Sequence, residues 1–127
     1  MIPTFIIAII AVAIPLIPSK PVIYTKLAEP AYIETMAEIT AYSEIDSCHY
    51  ENCVMANGKP AEVGYIACPR EIALETKIEA LGEVYICGDR TAKHYNGRYD
   101  IFKGYGKEAH KEALEFGRQY KIIKIIK

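Results

Sequence analysis

The sequence has no surplus of charge of either sign and no tryptophan. Its 127 residues include 15 Lys and Arg against 16 Asp and Glu, and no basic face precedes the lysines at the C-terminus. Nucleic acid is therefore not an expected partner, because nucleic-acid-binding domains carry a clustered positive charge. Aromatic surface comes mainly from 10 tyrosines, with 3 phenylalanines. This composition suits β-strands and surfaces that face sugars or other proteins.

An apolar run long enough to span a membrane is also missing. Residues 5–14 form an unbroken apolar stretch, whose length fits the hydrophobic region of a signal peptide and is short for a membrane span. Pro15 ends the run, and AVA at residues 11–13 has the small-x-small form of a cleavage site. No Lys or Arg precedes the run, so a hydrophobic strand or tail of a cytosolic protein is the alternative.

These features predict an exported protein. We expect residues 1–28 to be a signal peptide or a membrane anchor with a linker, which allows an N-terminal contact with a membrane. We expect residues 29–127 to form one domain. The predicted location is the cell envelope, where the protein is either secreted or membrane-anchored.

The four cysteines agree with export. An even number of cysteines in a small exported domain indicates disulfides, and four cysteines allow three pairings. We favour Cys48–Cys53, which closes a small loop, and Cys68–Cys87, which joins two strand segments. The alternative is a zinc site that uses CHYENC with His49. That spacing is not a standard pair of zinc ligands, so no metal is expected.

Short apolar alternations predict a mainly β fold with about six strands and one late helix. Residues 19–34 read as a linker or extended lead-in, and residues 45–62 as a polar loop with a turn at Asn57-Gly58. The even spacing of the strands favours a small barrel over a doubly wound parallel sheet. The predicted strands lie within residues 35–44, 63–69, 76–82, 83–89, 98–103 and 119–127, and the helix within 107–118.

Helical spacing in the late segment marks the side chains expected to face the barrel. Gly117 is expected to stop this helix. His110 is expected at the surface. The predicted inner positions are Ala109, Ala113, Leu114 and Phe116.

Asp89 and Asp100 lie at the edges of two predicted strands, on either side of a polar loop. Cleavage of a glycosidic bond needs a carboxylic acid that protonates the leaving oxygen, and hydrolysis usually needs a second carboxylate. A lytic transglycosylase needs only one such group, because the 6-hydroxyl of the sugar is the nucleophile. The acid needs a pKa raised by burial or by a like charge. The alternative is that both aspartates simply flank a turn.

Aromatic side chains near these aspartates are candidates for sugar binding. Tyr42 is expected either to stack on a sugar ring or to be a half-buried barrel residue. His94 and Tyr95 are expected either to line the groove or to be exposed loop residues. Glu44 and Asp46 are expected at a solvated loop edge.

Five segments follow one another in an order that resembles a known family. They are ITAYS (39–43), VMANGKPAEVGYIACP (54–69), LETKI (74–78), VYICGDRTAKHYNGRYDIF (84–102) and EALEFGR (112–118). This order is similar to that of the three-aspartate (3D) domain. That domain is a double-psi β-barrel found in MltA-type lytic transglycosylases and in secreted cell-wall proteins of the stationary-phase-survival type.

The resemblance implies a fold, a function and residue roles. The fold is a six-stranded double-psi β-barrel, and the function is lytic cleavage of the β-1,4 glycosidic bonds of peptidoglycan by a monomer without a cofactor. Asp100 matches the catalytic acid/base of the family, and Asp89 matches its companion carboxylate. A non-catalytic, expansin-like module that binds peptidoglycan or another polysaccharide is the alternative.

The sequence departs from the family pattern at three places. The third family aspartate falls at Cys68, the glycine of its LGT segment at Glu75, and its Gly-Gly pair at Arg90-Thr91. If the third aspartate has a structural role, we expect the Cys68–Cys87 bond to replace it, and if it has a chemical role, its loss favours the non-catalytic alternative. The carboxylates of Asp89 and Asp100 are predicted to converge in one open groove, within about 10 Å.

Overall fold

The computed structural model describes residues 30–47, 53–95 and 97–127, together with Pro3, Ala11 and Ala13. The predicted signal segment therefore lies outside the described residues except for three isolated positions. The elements are β1 (Tyr32–Tyr42), α1 (Glu44–Ser47), β2 (Tyr65–Cys68), β3 (Lys77–Ala80), β4 (Glu83–Arg90), β5 (Arg98–Phe102), α2 (Gly106–Phe116) and β6 (Gln119–Ile126), with a 3-10 turn at Lys93–Tyr95. None of the helices in these ranges is both long and apolar enough to cross a membrane.

The six strands close into a barrel in the order β1-β5-β2-β4-β3-β6. Two pairs are parallel, β1 with β5 and β2 with β4, and the other four are antiparallel. The prediction of a mainly β, six-stranded barrel with one late helix is confirmed, and this mixed pairing is consistent with the double-psi form. Closure removes the free strand edges that a small sheet would otherwise expose.

The barrel core is built from alternating side chains of all six strands. Five of the strands each contribute one isoleucine that is almost completely buried, and β4 contributes Tyr85 and Cys87. A second apolar cluster, on the other face of β1, β2 and β5, packs against the loop that precedes β2. The isoleucines are Ile39, Ile66, Ile78, Ile101 and Ile123, and the second cluster contains Tyr42, Met55, Ala61, Ala67 and Phe102.

The barrel begins earlier than the sequence pattern indicated. Residues 32–34, predicted as part of the lead-in, belong to β1 and pair with Ile126, Ile125 and Lys124 of β6. All three are exposed, so they show no alternation of buried and exposed positions, and their pairing partner is distant in sequence. The predicted turn is confirmed, because Gly58 has a φ of 82° and its N–H donates to the carbonyl of Met55 at 2.9 Å.

Helix α2 faces the barrel with fewer side chains than predicted. Ala109 and Ala113 are buried, and Phe116 packs against the barrel core. The prediction that Leu114 faces inward is wrong, because 67% of its surface is exposed. Ala109 and Ala113 lie one turn apart on the same face, and Leu114 is rotated away from that face.

A disulfide bond joins Cys68 of β2 to Cys87 of β4, with Cα atoms 5.9 Å apart. Both cysteines are fully buried in the barrel core, where the bond connects the two strands of a parallel pair. This bond has the predicted partners, and it removes both sulfurs from the zinc alternative. Cys53 is disulfide-bonded, and Cys48 and His49 lie outside the described residues.

Candidate functional site

A row of four residues runs across four neighbouring strands. Thr40 of β1 is in register with Asp100 of β5, Asp100 with Ala67 of β2, and Ala67 with Asp89 of β4. Residues in register point to the same face of a sheet. Because neighbouring strands are about 4.8 Å apart, the backbones of the two aspartates are about 10 Å apart. The two side chains thus leave the barrel on one side.

A β-bulge places Asp89 on this face. Tyr85 and Cys87 of β4 point into the barrel, and strict alternation would point Asp89 inward too. The register of β4 against β2 shifts after Cys87, so Gly88 is the extra residue and Asp89 pairs with Ala67. A bulge of this kind re-aims the following side chain. Gly88 is required there, because a Cβ would lie 2.5 Å from Cδ1 of Tyr65.

The two aspartates line one open groove of about 400 Å³, which we call the acid groove. A hollow of about 740 Å³ lies elsewhere, between Pro30, Leu74, Val84 and Ile126. That hollow is mainly apolar and has only Glu75 as an acid, so it offers no carboxylate pair. The acid groove is lined by Tyr42, Asp46, Ala67, Asp89, Arg90, Thr91, Ala92, Tyr95, Arg98 and Asp100.

Asp100 is the groove carboxyl suited to hold a proton near neutral pH. Burial raises its pKa to about 6. The hydroxyl of Thr40, which donates to Oδ1 at 3.0 Å, and the cation of Arg98 lower this pKa, whereas the charges of Asp46 and Asp89 raise it. In the structure burial is the main cause and Asp46 contributes before Asp89.

Asp89 has the opposite environment, because donors surround its carboxylate. The backbone N–H groups of Ala56 and Arg90 donate to Oδ1 at 3.1 and 2.9 Å. The Tyr42 hydroxyl lies 3.5 Å from Oδ2 as a donor. Such a set suits a carboxylate that accepts hydrogen bonds, rather than a carboxylic acid that must donate one. The groove therefore contains two aspartates with different chemical properties.

Arg98 supplies positive charge beside Asp100, and its guanidinium also forms an ion pair with Glu38. Its guanidinium binds Glu38 at 2.8 Å, and Glu38 also binds Arg118 at 2.9 Å. The guanidinium lies over the ring of Tyr95, 3.9 Å from the centroid. Glu38 thus limits how strongly Arg98 can favour ionisation of Asp100. The sequence could have identified Arg98 as a neighbour of Asp100, because residues two positions apart in a strand lie on the same face.

Arg90 is held away from the aspartates by the barrel itself. Its guanidinium donates to the carbonyl of Pro69 at 2.9 Å and also to that of Ile72. It lies 3.6 Å from the sulfur of Cys68. Arg90 therefore ties the loop after β2 to the end of β4, beside the disulfide.

Asp46 is exposed, as predicted, but it belongs to α1 instead of a loop and it lines the acid groove. Its Oδ2 accepts from the backbone N–H of Ser43 at 2.8 Å and from the Ser43 hydroxyl at 3.0 Å, which is the carboxylate part of a capping box for α1. The spacing Ser-x-x-Asp was a local signal for this helix start. No local sequence signal shows that Asp46 and Asp100 line one groove, because this arrangement depends on barrel closure.

Glu44 also belongs to α1 and is half-buried, so the prediction of a solvated loop edge is wrong for this residue. Its carboxylate accepts a hydrogen bond from the backbone N–H of Gly106 at 2.8 Å, and this bond connects α1 to the start of α2. His110 is not a simple surface residue either, since its Nδ1 lies 3.4 Å from Oδ1 of Asp46.

The predicted sugar-binding residues occupy different positions. Tyr42 is 6% exposed and packs against Phe102 with ring centroids 5.1 Å apart, so its ring face is covered and only its hydroxyl end reaches the groove. Burial, followed by the charges of Asp89 and Asp100, raises the pKa of Tyr42. Tyr95 is 43% exposed and lines the groove. His94 is exposed beside Tyr95, with ring centroids 4.0 Å apart.

No cluster of three His, Cys, Asp or Glu side chains with a geometry for metal binding occurs within residues 30–47, 53–95 and 97–127. The groove itself combines three carboxylates, two guanidinium groups, a buried tyrosine hydroxyl and an exposed tyrosine ring. These groups can donate and accept protons and can bind hydroxyl-rich ligands.

Comparison with known proteins finds partial structural matches. Three solved structures of the lytic transglycosylase MltA of Escherichia coli align with this chain at a TM-score of 0.48, with 16% or 17% sequence identity. The alignment covers 62% of this chain and 28% of that enzyme. No protein-family model matches the chain, and no curated protein matches it significantly. The activity of MltA is therefore not transferred to this chain, and the 3D-domain assignment stays a prediction.

Proposed function

We propose that this chain acts on cell-wall glycan and cleaves the β-1,4 glycosidic bonds of peptidoglycan by a lytic transglycosylase-like reaction. The observation that carries the proposal is the pair of aspartates in one open groove, Asp100 with a pKa raised to about 6 and Asp89 surrounded by donors. Two carboxyls in contrasting environments are the arrangement expected of a glycosidic acid and its companion.

In the proposed reaction Asp100 acts first as an acid. Its proton passes to the glycosidic oxygen between the muramic acid and glucosamine units, and the bond from that oxygen to C1 of the muramic acid breaks. The Thr40 hydroxyl, which donates to Oδ1, orients the carboxyl and stabilises the carboxylate that forms. The negative charge of Asp89 favours the positive charge that develops on the sugar ring.

Asp100 then acts as a base. The 6-hydroxyl of the same muramic acid attacks C1, and its proton returns to Asp100. The products are a strand end that carries a 1,6-anhydro ring and a second strand end with a free 4-hydroxyl. The carboxyl is regenerated in its starting form, so the reaction needs neither water nor a cofactor. One group of intermediate pKa is suited to both transfers.

The groove has an aromatic side chain in its wall that a sugar could contact. Tyr95 is 43% exposed and its ring is held in place by Arg98 and His94, and contact with aromatic rings is a usual mode of sugar binding. The proposed location is the cell envelope, which agrees with a buried disulfide in a small domain.

A non-catalytic module that binds peptidoglycan is the second candidate. The observation that favours it is Cys68, which occupies the position of the third family aspartate and is bonded to Cys87. The same groove would then hold the glycan without cleaving it.

Digestion of purified peptidoglycan separates the two candidates. The full chain is incubated with intact sacculi, the soluble products are analysed by mass spectrometry, and the protein that sediments with the sacculi is measured. We expect release of 1,6-anhydro-muropeptides. Sedimentation without such products would support the binding module. If the protein neither releases these products nor sediments with the sacculi, a role in the cell wall is rejected.

A further inference from the structure

We propose that Asp46 is a positioning residue of the acid groove whose charge opposes ionisation of Asp100, and that contact with His110 of α2 weakens this opposition. A role of Asp46 in glycan cleavage rests on the proposed function, whereas its effect on the ionisation of Asp100 does not. The evidence is the placement of Asp46 in the wall of the groove beside Asp100, together with its contact with His110.

Asp46 is held in this wall by several contacts. Its Oδ2 accepts from both the N–H and the hydroxyl of Ser43, and its own N–H donates to the Ser43 carbonyl at 3.1 Å. Glu44 fixes the same turn to α2, since its carboxylate accepts from Gly106 and its N–H donates to the carbonyl of Gly104 at 3.1 Å. Asp46 therefore has a defined position, unlike an acid on a free loop.

The imidazole of His110 completes this arrangement. Its Nδ1 lies 3.4 Å from Oδ1 of Asp46 and 3.3 Å from the hydroxyl of Ser43. The Ser43 hydroxyl donates to Asp46, so we infer that Nδ1 carries a proton and donates toward both oxygens. Ser43 is fully buried and the same nitrogen faces both partners, so this trio is not a nucleophilic Ser-His-Asp triad.

The charge of Asp46 acts directly on Asp100. It opposes ionisation of Asp100 in the same direction as Asp89 and with a larger effect. The N–H at Nδ1 of His110 places partial positive charge beside Asp46, which offsets part of that opposition. Among the described residues, the charged groups that act on Asp100 are Arg98 on its own strand, Asp89 on β4 and Asp46 on α1. Tyr42 of β1 lines the same groove, and His110 of α2 contacts Asp46.

The test follows the titration of Asp100 directly, without substrate. The full chain is labelled with ¹³C at the aspartate side chains, and the carboxyl resonance of Asp100, assigned with Asp100→Asn, is followed against pH by NMR. Asp46→Asn should lower the titration midpoint by about half a pH unit or more, because one like charge is removed. His110→Gln should raise the midpoint, because Asp46 loses the imidazole N–H that offsets its charge.

Glu115→Gln is the matched control. It removes one negative charge from α2 at an exposed ion pair with Lys111, and it should leave the midpoint unchanged. Asp46→Asn retains an oxygen that accepts from Ser43, so the start of α1 should persist. Thermal unfolding of each variant checks this.

An unchanged midpoint in folded Asp46→Asn would overturn the proposal. A midpoint that stays unchanged in folded His110→Gln would overturn the part assigned to His110. Because the titration needs no glycan, it is independent of the outcome of peptidoglycan digestion. If cleavage is observed, the acidic limb of its pH profile should move with the same sign as the NMR midpoint in both variants, which a loss of stability alone would not produce.

Discussion

At the scale of single residues, two aspartates with identical side chains have different properties because their neighbours differ. Burial dominates at Asp100 and raises its pKa to about 6. Donors dominate at Asp89, where two backbone N–H groups reach one carboxylate oxygen. The orientation of Asp89 depends on one glycine, because the bulge at Gly88 turns Asp89 toward the groove and away from the barrel core.

The pKa of Asp100 predicts how stability depends on pH. The folded value of about 6 lies above the ordinary 3.8, so the folded state binds more protons between these values. The contribution of this group to the free energy of unfolding therefore falls as the pH rises from about 4 to about 6. Asp100→Asn removes this penalty and should be more stable than wild type at neutral pH by about 1–3 kcal/mol, with a much smaller difference near pH 4.

Urea unfolding of both proteins at the two pH values measures this difference. Glu112→Gln, an exposed acid on α2, is the control and should show no comparable change with pH. If Asp100→Asn were the less stable protein at neutral pH, burial would not be the main influence on this carboxyl.

At the scale of elements, the sequence was sufficient to locate most strands of the barrel. Pro69 and Gly82 bounded alternating runs, so β2, β3, β4 and β5 were located to within a few residues. The first residues of β1 were missed because they are exposed and their pairing with β6 is distant in sequence. Helix α1 was missed because four residues give little periodic signal, although Ser43 and Asp46 carried a start signal.

The candidate site was predictable only in part. The resemblance identified Asp89 and Asp100, because both lie in one continuous motif. It did not identify Asp46 or Thr40, which approach Asp100 only when β1 pairs with β5 and α1 follows it. The role of Tyr42 as a buried donor also depends on packing against Phe102, which strand alternation alone does not show.

The bulge in β4 provides a test at this scale. In Gly88→Ala the new Cβ would meet the ring of Tyr65 at 2.5 and 3.0 Å, so the ring or the strand must move. We expect a loss of about 1–3 kcal/mol in the free energy of unfolding. Adding Tyr65→Ala removes the two ring contacts and leaves only Asn57 Nδ2 at 3.1 Å, so Gly88→Ala should cost less in that background. Equal costs in both backgrounds, measured by urea unfolding, would show that Tyr65 does not restrict this position.

The disulfide provides a second test. Cys68 and Cys87 are 19 positions apart, and a loop of that size is expected to contribute about 3 kcal/mol in the chain-entropy model. Replacing both cysteines with alanine should lower the free energy of unfolding by roughly that amount. Protein recovered from an oxidising compartment should show no free thiols after denaturation. Titration of four thiols in that protein would contradict the pairing.

At the scale of the whole molecule, the barrel should fold without its N-terminal segment. β1 begins at Tyr32, and the N–H of Lys127 donates to the carbonyl of Ala31 at 2.9 Å, so the chain ends of the barrel meet near residue 31. Deletion of residues 1–28 should therefore leave a soluble domain that unfolds cooperatively. Aggregation, or loss of a single unfolding transition in circular dichroism, would mean that the apolar run belongs to the core.

The whole account depends on Asp100 as the group that transfers the proton, and one comparison tests this claim most directly. Wild type, Asp100→Asn and Asp89→Asn are incubated with purified peptidoglycan, and 1,6-anhydro-muropeptides are quantified by mass spectrometry. An amide cannot donate a proton and recover it, so Asp100→Asn should release none while remaining folded. Asp89→Asn should retain part of the activity, because its role is electrostatic and positional. Anhydro products at the wild-type rate from Asp100→Asn would contradict the account.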